Sequence, residues 1–202
     1  IYQYMSGGEF TLQVDNDLMP VLNYYSPLTS NQGNTVNTFQ SFCLELDETI
    51  KPNTTYNAAI SNGAVAGGVG GAVNSVDPIS IGTAWLYSQF AKGTLADYDF
   101  AGTIDERKAS AFDLQYALWW LEDEKAYDGS NIFIQAAIAM FGDEAAAKAD
   151  SLGAYNVMAL NLTDDAGNLF QDQLVVVPIP SAIWLLGTAI MGLIGVRRRF
   201  TA

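Results

Sequence analysis

Histidine is absent from this 202-residue chain, cysteine occurs once, and only 9 residues are lysine or arginine. Without histidine there is no Ser-His-Asp triad, no Cys-His dyad and no histidine-ligated zinc or haem. The lone Cys43 forms no internal disulfide and no cysteine metal cluster, so chemistry at its sulfur needs a partner of another kind. Charge is also scarce: 15% of residues are charged and 50% are hydrophobic, which argues against a mainly disordered chain. The length suits one domain, or one domain and a tail.

Charge placement says more than the total. All 22 acids lie at or before Asp172, whereas Arg197, Arg198 and Arg199 stand together near the end. Residues 1–174 thus hold 6 bases against 22 acids, a net charge of −16. A body this acidic repels phosphate backbones, which argues against a nucleic-acid partner. Residues 179–196 carry no charge and are long enough to be read as a membrane-crossing helix. Pro180 and Ser181 supply a helix entry, Trp184 an interfacial aromatic, and the three arginines a cytoplasmic tip. The plainer alternative is a buried core helix capped by basic residues.

The run Val177-Pro178-Ile179-Pro180-Ser181-Ala182, followed by apolar residues and Arg197–Arg199, resembles a PEP-CTERM sorting signal. It is closest to the variant reading Val-Pro-Leu-Pro-Ala-Ala, with Ile179 standing at the central Glu of the eponymous motif. The resemblance implies export, an exosortase-type sorting enzyme as partner, and membrane contact through the C-terminal helix. The chain starts at Ile1 with no apolar leader, and is read as already stripped of a signal peptide.

In the body, Glu9–Val14, Val21–Tyr25 and Thr38–Leu46 read as strands between Asp, Asn, Pro and Gly clusters. The Gly-rich segment 61–74 lacks a following Lys-Ser/Thr and reads as a surface loop or small-residue packing segment, not a phosphate cradle. Helices are expected over Ile79–Lys92, opened by Asp77-Pro78, then Asp105–Glu122, Asn131–Ala139 and a short piece in Asp143–Asp150. Strands return at Ala154–Leu162 and Asp172–Val177, paired as a hairpin across the turn at 164–168. Strands, helices, then strands give an α+β class. The expected architecture is an antiparallel β-sandwich or barrel with an inserted helical subdomain over residues 1–177. A single C-terminal transmembrane-type helix over 178–202 follows it.

Two segments carry candidate chemistry. In Phe42-Cys43-Leu44-Glu45-Leu46, alternation sends Phe42, Leu44 and Leu46 to one face and Cys43 and Glu45 to the other. In the third expected helical turn of the longest helix, Gln115 falls inside the apolar stripe of Ala111, Leu114, Leu118 and Leu121. A buried primary amide is costly unless something satisfies it. Together the segments resemble the thioester domains of bacterial surface adhesins, which pair an aromatic-Cys-aliphatic-acidic strand with a Gln-x-Ala-aliphatic-Trp helix. By that resemblance Cys43 is the thiol donor and Gln115 the acyl donor, with Glu45, Ala117 and Trp119 at supporting motif positions. Leu114 stands where the commonest form has Thr. Phe42, Tyr116, Trp119 and Trp120 are expected to limit water access.

Weaker candidates have plainer explanations. Glu122, Asp123 and Glu124 fit a solvated helix end better than catalytic carboxylates or calcium ligands. Asp164, Asp165 and Asn168 fit a hairpin turn, and Asn53 and Asn161 head glycosylation sequons, a short and frequent pattern. No cofactor and no metal are expected. The reading is a non-enzymatic exported adhesin or matrix protein with a surface amine or polysaccharide as target. The alternative is a homo-oligomeric subunit of an extracellular filament or coat, and a secreted hydrolase is a distant third.

Overall fold

A computed structural model of the chain describes residues 2–4, 7–29, 37–65 and 76–178. Strands β1 (Tyr2–Tyr4), β2 (Gly7–Gln13) and β3 (Thr38–Ser41) form an antiparallel sheet with β2 in the centre. Between β2 and β3 the chain does not form the expected strand at Val21–Tyr25. It winds a 3-10 helix over Asn16–Tyr24 with Pro20 inside it. Pro20 has no N–H to give a sheet ladder, and Asp15 to Asp17 favour a turn, so local chemistry overrides the apolar run.

Strand β4 (Asn57–Ser61) is followed by the short pair β5 (Gly63–Val65) and β6 (Val76–Pro78). Four helices come next: α1 (Ile81–Ala91), α2 (Ile104–Leu121), α3 (Ile132–Phe141) and α4 (Glu144–Ala147). Asp77-Pro78 does not open α1 but lies in β6; Ser80 is the cap, its hydroxyl accepting from Thr83 N–H at 3.1 Å. The α2 start is a capping box in which Thr103 and Glu106 satisfy each other's backbone N–H groups. Strands β7 (Val157–Thr163) and β8 (Leu169–Val176) close the described fold as the expected hairpin, and β4 pairs on the far side of β7.

The class is α+β, but the sandwich or barrel is corrected to small antiparallel sheets of three, three and two strands. The two larger sheets meet at residues 42–44. Leu174 N–H donates to Phe42 C=O and Leu44 N–H to Asp172 C=O, each at 3.0 Å, leaving Cys43 bridged to Gln173. The main core lies on one side of this junction, where Phe42, Leu44, Tyr87, Phe90, Leu114, Leu118 and Trp120 pack together. The longest helix, α2, lies across β1 and β2.

The expected C-terminal membrane-spanning helix over 178–202 gains no support, since residues 179–202 lie outside the described ones. Among the described residues no helix is long and apolar enough to cross a membrane. The 18-residue α2 comes nearest in length but carries Asp105, Glu106, Arg107, Lys108 and Asp113. Pro178 is the last described residue, and Pro180 and Arg197–Arg199 lie outside the described residues.

Candidate functional site

The junction between the sheets fixes Cys43. Regular pairing with β2 ends at Ser41, whose hydroxyl donates to Leu174 C=O at 2.7 Å and turns the chain toward β8. Alternation then holds for three residues: Phe42 and Leu44 enter the main core, and Cys43 faces a small cluster with Phe10 and Trp119. Leu46 departs from the expected face and packs on the Cys43 side. Beyond Leu44 the chain is irregular, so the period of two is lost.

Gln115 approaches the same residue from α2. It is fully buried, between Leu114 and Leu118, as its place in the apolar stripe requires. Its Oε1 accepts from Cys43 N–H at 3.0 Å, and its Nε2 donates to Cys43 C=O at 2.9 Å. The carboxamide thus acts as a one-residue neighbouring strand, satisfying both backbone groups of Cys43. This offsets the cost of burying an amide, about 2–7 kcal/mol if left unpaired. The Cys43 sulfur itself accepts from Gln173 Nε2 at 3.6 Å. Burial pushes the Cys43 thiol up to about 12, with the Gln173 bond working in the other direction. Cys43 and Gln115, expected as a pair, are in contact across 72 residues of sequence.

The other motif residues divide. Trp119 is 3% exposed and walls the Cys43 side, its Nε1 buried with no hydrogen-bond partner among the described residues. Ala117 is buried in the main core. Of the four aromatics expected to shield the site, only Trp119 does so. Phe42 and Trp120 belong to the main core, and Tyr116 reaches Ala126 C=O at the helix end. Three contributors carried no motif signal: Phe10, Gln173 and Gly7. A Cβ on Gly7 would lie 2.4 Å from Trp119 Cη2 and 2.8 Å from Gln115 Cγ, so only glycine lets β2 pass here.

Next to this pair lies a group of buried carboxylates, which corrects the expected solvated helix end. Glu122 and Glu124 are each 5% exposed, and Glu45 only 1%. Glu122 accepts from both Ser80 N–H and Ser80 Oγ, anchoring the first turn of α1 to the end of α2. Burial, then the neighbouring Glu124, Asp77, Glu48 and Glu122, pushes Glu45 up to about 9. Burial likewise raises Glu48 and Glu122 to about 7 and Asp77 to about 6.

The remaining candidates resolve simply. Asp164 binds Ala166 N–H, Asn168 N–H and Asn168 Nδ2, a self-contained hairpin turn. Asn161 is 4% exposed inside β7 and bonds Gly63 C=O, so it is no glycosylation acceptor, whereas Asn53 is exposed. Comparison with protein-family models, with curated proteins and with solved structures finds no match.

Proposed function

We propose that this chain is an exported cell-surface or matrix protein that adheres by capturing a partner amine through a Cys43–Gln115 thioester. The observation that carries the reading is the buried Gln115 carboxamide held by two hydrogen bonds against the Cys43 backbone, a helix side chain brought to a strand junction. Holding a carboxamide against a cysteine supplies the proximity that an unactivated amide lacks in solution. In the first step the thiol adds to the Gln115 carboxamide carbon. A C–S bond forms, the C–N bond breaks, and ammonia leaves with the thiol proton. A partner amine then attacks the acyl carbon, the C–S bond breaks, and Cys43 regains a proton as the amide forms at residue 115. Each chain reacts once, so the protein is not an enzyme in the turnover sense. In this reading the acidic body faces the exterior, and Pro178, Pro180 and Arg197–Arg199 address the chain to an exosortase-type sorting enzyme.

The two hydrogen bonds from Gln115 would equally satisfy a glutamine that never reacts, and intact mass separates these cases. The purified full chain is expected to weigh less than its sequence by one ammonia. Methylamine should add to it and free the Cys43 thiol for labelling, and Cys43→Ser should show neither behaviour. A chain of full sequence mass, inert to methylamine, overturns the covalent mechanism.

A second reading, a self-assembling filament or coat subunit, draws on β4. It is an edge strand with Ala58, Ala59 and Ile60 exposed, and an open edge accepts further strands. Sedimentation of the chain alone as large regular particles would favour it over the adhesin.

A further inference from the structure

We infer that Glu45, Asp47 and Glu124 form a calcium-binding site that staples the Cys43 segment to the end of the Gln115 helix. This goes beyond the thioester reading and stands or falls separately from it. One carboxylate oxygen from each of the three residues lies within 4.8 Å of the other two. Oxygens this close can share one ion at the calcium–oxygen distance of about 2.4 Å, and magnesium, which sheds its water reluctantly, suits an all-carboxylate protein site less well. The ligands are all hard oxygens, the preference of calcium over zinc or copper.

An independent observation points to an ion. Glu45 is 1% exposed, and its Oε2 is buried with no hydrogen-bond partner among the described residues. A buried carboxylate oxygen in that state is expensive. A cation among the three carboxylates satisfies Glu45 and offsets the repulsion at once. Lys125, next in sequence to Glu124, has its ammonium 5.9 Å from the centre of the Trp119 ring.

The backbone explains how the site assembles. After α2 ends, Asp123 takes a left-handed conformation (φ 62°), and Glu124 N–H folds back to Trp119 C=O at 2.7 Å. That reversal carries Glu124 under the helix, where its Oε2 accepts from Leu46 N–H at 3.1 Å. Glu45 and Asp47 flank Leu46, so the same contact draws both toward Glu124. Asp47 is exposed, leaving one side open to water, which calcium accepts as a ligand.

The test is calorimetric titration of the chelator-treated full chain with calcium chloride, paired with thermal unfolding. We expect saturable binding of one calcium per chain, weaker magnesium binding, and a higher unfolding temperature with calcium. Asp47→Asn, at an exposed position, and Glu45→Gln, which keeps the side-chain shape, should each weaken binding tenfold or more. Asp164→Asn, in the hairpin turn, should leave it unchanged. Absence of saturable binding at several millimolar calcium by the folded wild-type chain overturns the site. So does binding of equal strength in the wild type and both site variants.

Discussion

Arg107 grips Glu9 with two nitrogens, Nη2 to Oε1 at 2.7 Å and Nε to Oε2 at 2.9 Å, with both side chains almost wholly buried. The same guanidinium donates to the carbonyls of Leu28, Thr29 and Phe100, and Tyr98 adds its hydroxyl to Glu9. One side chain on α2 thereby ties down β2 and two connecting segments. Removing one partner of such a pair strands the other charge in the interior. Arg107→Ala should destabilise the chain by about 3–5 kcal/mol, read from denaturant unfolding. A cost under about 1 kcal/mol would mean that water reaches Glu9.

Gly7→Ala tests the close passage of β2 over the site. The new methyl group meets the Trp119 ring and the Gln115 stem, neither at the free end of a long flexible chain. The expected cost is about 1–3 kcal/mol, typical of overpacking. Trp119 emission should shift and methylamine incorporation should fall, since the ring and the amide move together. Wild-type stability and emission would show that β2 can retreat without disturbing α2.

Gln115→Ala should damage the fold as well as the chemistry. It leaves Cys43 N–H and C=O buried without their partners, at about 1–3 kcal/mol for each stranded group. Cys43→Ser keeps both backbone bonds and is the cleaner chemical control. Equal stability of the two variants would show that another group replaces the amide.

Tyr25, Tyr87 and Tyr98 are all held above the ordinary phenol value of 10.0, with burial the largest cause. Their folded values exceed the unfolded ones, so the stability they contribute is complete below pH 10 and falls above it. The unfolded chain ionises there while the folded one resists. Tyr87 matters most, because its hydroxyl reaches Gln40 C=O and Leu174 C=O at the sheet junction, both at 2.9 Å. Alkaline titration followed by phenolate absorbance should leave these tyrosines silent until the chain unfolds. Ionisation of all 10 tyrosines in a folded chain would contradict this.

Local signals were legible where the chain decides its own conformation. The stripe around Gln115 announces the buried face of α2, and Asp164 to Asn168 announce the β7–β8 turn. Pro20 was equally visible, but it bars a ladder N–H at one position only and leaves the adjacent apolar Val21-Leu22 readable as strand. Burial of Glu122 and Glu124 was not legible, because a helix end bears acids whether it meets water or another segment. Only Asp123's left-handed turn and the approach of residues 45–47 decide the matter. Gly7 was hidden for the same reason: its neighbour is Trp119, 112 positions away.

The strand junction also sets a timetable. Cys43 finds its surroundings in Phe10, Gln115, Trp119 and Gln173, which span nearly the whole described chain. Contacts so distant in sequence form late, after the closure entropy of long loops has been overcome. The thiol therefore stays open to stray oxidants and electrophiles until β8, the last described strand, has docked. Any bond made at Gln115 is consequently a record that β8 had already docked.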